Sequence, residues 1–216
     1  MSIFITGTDT GVGKTFTATR LVRLLRATGL RVAGMKPICC GDRDDAEQLL
    51  AASSSGATID ELNPVWLKTP AAPFSASLVE DVDIEIAALA DQLCELQRRF
   101  DYVVVEGVGG WLVPLRRDQF VSDLAVAMKL PVLVVAMNRL GCLNHTMLTV
   151  RNVTASGLQC AGVALNSPTT GSDFASNTNR EILEQIAGVP IVDGISDETT
   201  SLTPEWCRIL RIPLDR

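Results

Sequence analysis

A chain of 216 residues that is 47% hydrophobic has the material for one core-bearing domain, spanning residues 1–216, rather than several. Its formal charge of −6 provides no general basic surface for nucleic acid or anionic membranes, so any bound polyanion must be held by a local site. Six cysteines without a C-x-x-C pair, and apolar runs far shorter than the ~20 residues that span a bilayer, predict a reduced, cytoplasmic protein.

In chain order, short apolar bursts rich in β-branched residues fall at 3–5, 32–35, 102–105, 132–136 and 161–165. Their continuous rather than alternating character suits strands covered on both faces. Between them, segments bounded by Gly, Pro, Ser or Asp read as helices at 14–28, 44–53, 84–99, 121–128, 144–156 and 176–187. The alternation predicts a doubly wound α/β fold, a mostly parallel sheet with helices on both faces. Residues 63–77, with prolines at 64, 70 and 73, read as an ordered, non-helical connection, serving either as a cover over substrate or as a plain link.

After the first strand, and opening the first helix, comes Gly7-Thr8-Asp9-Thr10-Gly11-Val12-Gly13-Lys14-Thr15. In that setting backbone N–H groups can encircle phosphate oxygens and the helix dipole favours the anion. Lys14 would reach the β and γ phosphates of ATP and the Thr15 hydroxyl would coordinate Mg²⁺. The loop is a variant, because a strict phosphate-binding loop has glycine where Thr8 stands.

Further along, Glu106 ends a strand, where a carboxylate can assist Mg²⁺ beside phosphates, and glycines at 107, 109 and 110 permit close approach of ligand oxygens. Asp44 and Asp45 open a helix, where either is a helix cap or a third metal ligand; residue chemistry alone leaves the choice open. Lys36 leaves the second strand on the sheet edge where open α/β folds bind ligands, and can neutralise charge that grows during phosphoryl transfer. Asn166, ending the fifth burst, can offer its amide to a purine edge or serve a turn. Asn138-Arg139-Leu140-Gly141 lacks the lysine and aspartate of a guanine reader, and the single histidine, His145, with no ligand-spaced cluster, argues against zinc.

Taken together, the loop, the segment from Lys36-Pro37 to Gly41, Glu106-Gly107-Val108-Gly109-Gly110-Trp111, and Leu140-Gly141-Cys142-Leu143-Asn144-His145 with Thr146-Met147-Leu148-Thr149 resemble the dethiobiotin synthase family. The resemblance runs from the first strand to about Asn166. It implies closure of 7,8-diaminononanoate with CO2 and ATP through a carbamate and a carbamic-phosphoric anhydride, with the protein supplying positioning and charge stabilisation. It further implies Thr15, Asp45 and Glu106 as Mg²⁺ ligands, with Asp45 preferred to Asp44, and Lys14 and Lys36 as the catalytic lysines. Nucleotide contacts map to Gly11, Val12, Gly13, Lys14, Thr15, Phe16, Gly107, Val108, Gly109, Asn166 and Ser167, with Asn166 at the adenine-reading position. Diamine contacts map to Thr10, Lys36, Cys40, Gly141, Cys142 and Asn144. Of these the 141–144 segment serves substrate held chiefly by the other subunit of a homodimer. Gly11 stands where some members have glutamate, and Cys40 replaces a hydroxyl with a weaker donor.

The rival expectation is a partitioning or metal-delivery ATPase of the same loop class. Such proteins carry a second lysine where this chain has Asp9.

Overall fold

The computed structural model describes residues 1–167 and 174–213. Strand β1 (Ser2–Gly7) leads through the glycine-rich loop into helix α1 (Lys14–Ala27), then β2 (Val32–Met35), β3 (Ile38–Cys40), α2 (Asp44–Ala52), α3 (Ile59–Leu62) and β4 (Val65–Leu67). Helices α4 (Pro73–Glu80) and α5 (Ile86–Arg99) precede β5 (Tyr102–Gly110), α6 (Val121–Met128), β6 (Val132–Met137), α7 (Cys142–Ala155) and β7 (Cys160–Asn166). A single 3-10 turn (Ala175–Asn177), α8 (Asn179–Ile186), β8 (Ile191–Asp193) and α9 (Pro204–Leu210) complete it.

Six strands form one parallel sheet in the order β2-β5-β1-β6-β7-β8, of which all but β8 fall on the predicted apolar bursts, and β3 pairs with β4 in a small parallel sheet beside it. Side chains alternate between the faces and feed two cores. Phe4, Ala33, Met35, Val103 and Val105 belong to the core shared with α5 and α6. Ile3, Ile5, Val32, Tyr102 and Val104 belong to the core shared with α1, α2 and α9. The Tyr102 hydroxyl pins α9 by donating to the Leu210 carbonyl at 3.0 Å. Gly34 lets α2 come close, since a Cβ there would stand 2.7 Å from Leu49.

Several boundaries differ from expectation. The connection over 63–77 is not free of helix: α4 begins at Pro73, because proline needs no partner for an N–H in the first helical turn. Helix α5 begins at Ile86 rather than 84, and α7 begins at Cys142, with Gly141 before it in the left-handed region at φ 90°. Residues 176–187 divide into the 3-10 turn and α8. Strands β3, β4 and β8, each three residues long, are too short to carry a period in sequence.

Candidate active site

Strand register places the charged groups. Met35 of β2 sits opposite Val105 of β5, and Ile5 of β1 opposite Glu106, so the next residue of β2's chain, Lys36, arrives level with Glu106 at the carboxyl edge of the sheet. Period two does the rest. Tyr102 and Val104 face the α1/α2 core, so Glu106 faces it too, and Val32 sets the same face for Lys36. Over that face lie the first residue pair of α1 and the start of α2, which present Thr15 and Asp45.

The Thr15 hydroxyl lies 2.8 Å from Asp45 Oδ1 and 2.7 Å from Glu106 Oε1. One proton can serve only one of them at a time. Lys36 Nζ donates to Asp45 Oδ2 and Glu106 Oε1, each at 2.6 Å, with Lys36 3% and Glu106 0% exposed. Burial opposes charge on Lys36, but Glu106 and Asp45 outweigh it and hold the ammonium well above the ordinary lysine range. Burial pushes the Glu106 carboxyl up, against the Lys36 charge. Asp45 also loses solvation, yet Lys36 and the hydrogen bonds from Lys36 and Thr15 keep its carboxyl below the usual range. Glu106 Oε2 is buried with no hydrogen-bond partner. Two carboxylates, one of them with an oxygen left unpartnered, and a hydroxyl form a hard-oxygen donor set suited to Mg²⁺. The set was legible only with Thr15 included, since among the described residues no group of three His, Cys, Asp or Glu could hold a metal.

The loop wraps ahead of this cluster. Gly13 caps α1 at φ 89° with no side-chain cap and no acidic residue in the first turn, leaving the amides at the helix start to an anion. Lys14 is 7% exposed and folds back so that Nζ donates to the Asp9 carbonyl at 3.0 Å. Burial, then the nearby Lys36 charge, lowers its pKa from the ordinary lysine value. A cavity of about 660 Å³ opens beside it, lined by Thr10, Gly11, Gly13, Lys14, Thr15, Phe16, Lys36, Cys40, Asp45, Glu106, Val108 and Gly109 among others. The turn of Pro70, Ala71, Ala72 and Pro73, within the segment read as a possible cover over substrate, also lines it, as do Cys39, Asp42 and Val113, which residue chemistry does not single out as site residues. Proline spacing is the sequence signal for the turn alone. The Cys40 thiol, pushed up to about 11 first by burial and then by Glu80, stays protonated there.

The remaining expected contacts lie elsewhere. Asn166 is 7% exposed, and its Nδ2 donates to the Val12 carbonyl at 2.8 Å, with Gly13 O at 3.4 Å and Thr17 Oγ1 at 3.3 Å, so its amide grips the back of the loop. Val12 and Gly107 are buried, and Ser167 is exposed after β7. Gly141 and Asn144 are exposed and Cys142 buried at the start of α7, outside the lining of the main cavity. A second hollow of about 350 Å³ joins Thr8, Asp9 and Thr10 to Gly110–Pro114 and to Leu148, Thr149 and Asn152 of α7. Leu112 and Leu148 expose more than half their surface at its rim.

A family model described as an AAA domain matches residues 1–205. The "ATP-dependent dethiobiotin synthetase BioD" of Akkermansia muciniphila is 40% identical over 191 residues, covering 88% of this chain and 90% of that protein. The protein of the same name from Anaeromyxobacter dehalogenans (strain 2CP-C) is 41% identical over 201 residues, covering 87% and 90%. That from Aromatoleum aromaticum is 37% identical over 218 residues, covering 97% and 96%. Among solved structures, a ParA family ATPase from Chlorobium tepidum superposes with TM-score 0.56 at 15% identity over 91% of this chain and 84% of that one. The signal recognition particle receptor FtsY from Elizabethkingia anophelis superposes with TM-score 0.55 at 18% identity, over 96% of this chain and 63% of its own length. At such identity these two likenesses concern the fold alone.

Proposed function

This chain belongs to the ATP-dependent dethiobiotin synthetase family, and from that premise we propose how its own residues divide the work. The reaction is ATP-dependent synthesis of dethiobiotin in biotin biosynthesis, which makes the chain a cyclo-ligase. The observation that carries the division of roles is the meeting of Lys14, Thr15, Lys36, Asp45 and Glu106 at the mouth of one cavity.

One amine of 7,8-diaminononanoate takes up CO2 and loses a proton to give a carbamate. A carbamate oxygen then attacks the γ-phosphorus of ATP, the bond to ADP breaks, and a carbamic-phosphoric anhydride forms. The second amine attacks the carbonyl carbon and expels phosphate, closing the ring. The loop amides and Lys14 hold the triphosphate in line, and Lys36 meets the negative charge shared between carbamate and γ-phosphoryl oxygens. Thr15, Asp45 and Glu106 would hold Mg²⁺, which when bound neutralises charge on the phosphate oxygens. The turn at Pro70–Pro73 walls the cavity, which supports the covering role for this segment over that of a plain link. Thr10 and Cys40 line the same cavity, which supports their assignment as diamine contacts.

We assign the protein to a homodimer, supported by the exposed Leu112 and Leu148 beside the loop, with Gly141, Cys142 and Asn144 serving the partner's substrate. The cytoplasm is its compartment. All six cysteines are unpaired, and no helix among the described residues is long and apolar enough to cross a membrane. The test is mass-spectrometric identification of product after incubation with diamine, bicarbonate, Mg²⁺ and ATP. Dethiobiotin in amounts matching the ADP formed supports the assignment, whereas ADP release indifferent to the diamine refutes it.

A further inference from the structure

Lys36 follows the last paired residue of β2, so the sheet does not itself satisfy its backbone there. Both of its main-chain polar groups are taken by the end of α3 instead: Lys36 N donates to Leu62 O at 2.9 Å, and Asn63 Nδ2 donates to Lys36 O at 2.8 Å. Asn63 is 1% exposed, and its other bonds run to two further segments. Its Nδ2 also donates to Val65 O at 3.0 Å, while Arg43 gives Nε to its Oδ1 at 2.8 Å and an NH2 to its carbonyl at 2.9 Å. The Asn63 N–H donates to Ile59 O at 2.8 Å, so the residue is satisfied at every polar atom. Arg43 caps α2, two residues ahead of Asp45, and its guanidinium lies 5.1 Å from the Trp66 ring centre.

A lysine side chain has four rotatable bonds and no intrinsic aim, so what sets the reach of Nζ is where the backbone holds its Cα. Asn63 ties that backbone, through Arg43, to the helix start that carries Asp45. We propose that Asn63 is a positioning residue for the known reaction, fixing Lys36 against Asp45 and Glu106 without touching substrate. The inference rests on the reading that Lys36 acts on the reacting oxygens.

Asn63→Asp tests it with little change of shape. The aspartate still accepts from Arg43 but turns an oxygen, rather than an N–H, toward the Lys36 and Val65 carbonyls. A displaced charge of this kind lowers kcat by on the order of 10- to 100-fold. Affinity for a non-hydrolysable ATP analogue stays within about threefold, since the loop that grips phosphate is built by other elements. In a Lys36→Met background the same change removes less than about twofold more, because the group it positions is gone. Arg43→Lys, which keeps the charge but not the fork on Asn63, provides the same cycle if Asn63→Asp does not fold; it lowers kcat by about 3- to 10-fold only while Lys36 is present. A folded Asn63→Asp enzyme with unchanged kcat overturns the proposal. So does an effect, in either variant, that multiplies undiminished in the Lys36→Met background, which marks a merely structural role. Undiminished turnover by Lys36→Met alone strikes instead at the reading of Lys36, and the proposal falls with it.

Discussion

Lys36→Met keeps the length and apolar stem of the side chain and deletes only the ammonium. The structure separates two consequences. In the ground state, Glu106 at 0% exposure loses a partner at 2.6 Å, and removing one member of a buried pair costs about 3–5 kcal/mol. The lower end is expected here, since Asp45 retains 40% of its side-chain exposure and the Glu106 carboxyl, already pushed up by burial, can take a proton. In the reaction, loss of one preorganised charge at developing negative oxygens lowers kcat by about 10²- to 10³-fold. ATP binding changes by less than about threefold, as expected for loss of an interaction realised chiefly in the transition state, because the phosphate loop and Lys14 stand without Lys36. Urea denaturation, phosphate release at saturating diamine and bicarbonate, and titration with a fluorescent ATP analogue measure the three quantities separately. A variant that binds ATP tenfold more weakly yet turns over at the wild-type rate refutes the placement of Lys36 at the reacting oxygens.

Gly13→Ala places a Cβ 2.4 Å from Asn166 Nδ2 on a residue at φ 89°, and calorimetry is expected to show ATP affinity down by tenfold or more. Asn166→Asp replaces the donor to the Val12 carbonyl with an acceptor. Inorganic tripolyphosphate should lose affinity along with ATP, by about 1–3 kcal/mol, whereas a loss confined to ATP would leave Asn166 with the base alone. Glu106→Gln is expected to abolish the Mg²⁺ dependence of thermal stability, read as the shift in melting temperature on adding the ion with nucleotide absent. Glu61 is held at about 2 by hydrogen bonds from Arg99 and the Thr58 backbone. A depressed folded-state pKa stabilises above the unfolded value of about 4.5 and ceases to do so as pH falls toward about 2, so the stability gap to Glu61→Gln, about 1 kcal/mol or less at this one-third-exposed site, closes over that window.

Local chemistry made much of the molecule readable in one dimension. The five long strands show as continuous apolar bursts because both their faces are covered, and the phosphate loop shows because Gly13, Lys14 and Thr15 act within a single strand-to-helix turn. Lys36 and Asp45 were each visible as charged residues at element ends and Glu106 as a carboxylate closing an apolar run, although β5 continues past Glu106 to Gly110 because the glycines that follow extend the strand. Residue types alone could not separate Asp45 from Asp44. What decides between them is rotation about the α2 axis, which turns Asp45 toward Thr15 and Lys36. Leu49, one turn beyond Asp45 and on the same face of α2, packs against Gly34 of β2 and so turns that face toward the sheet.

Sequence by itself therefore determined the parallel α/β class, the loop and the inventory of charged groups, because each is written in consecutive residues or in a short period. Only the tertiary structure decided which of those groups meet. The β2-β5-β1 register brings Lys36 level with Glu106, Asn63 and Arg43 gather three segments around the lysine backbone, and Asn166 reaches back across 154 positions to the loop carbonyl of Val12. Those meetings follow from strand pairing and helix docking, which are set by burial summed over the whole chain and leave no mark at any single position.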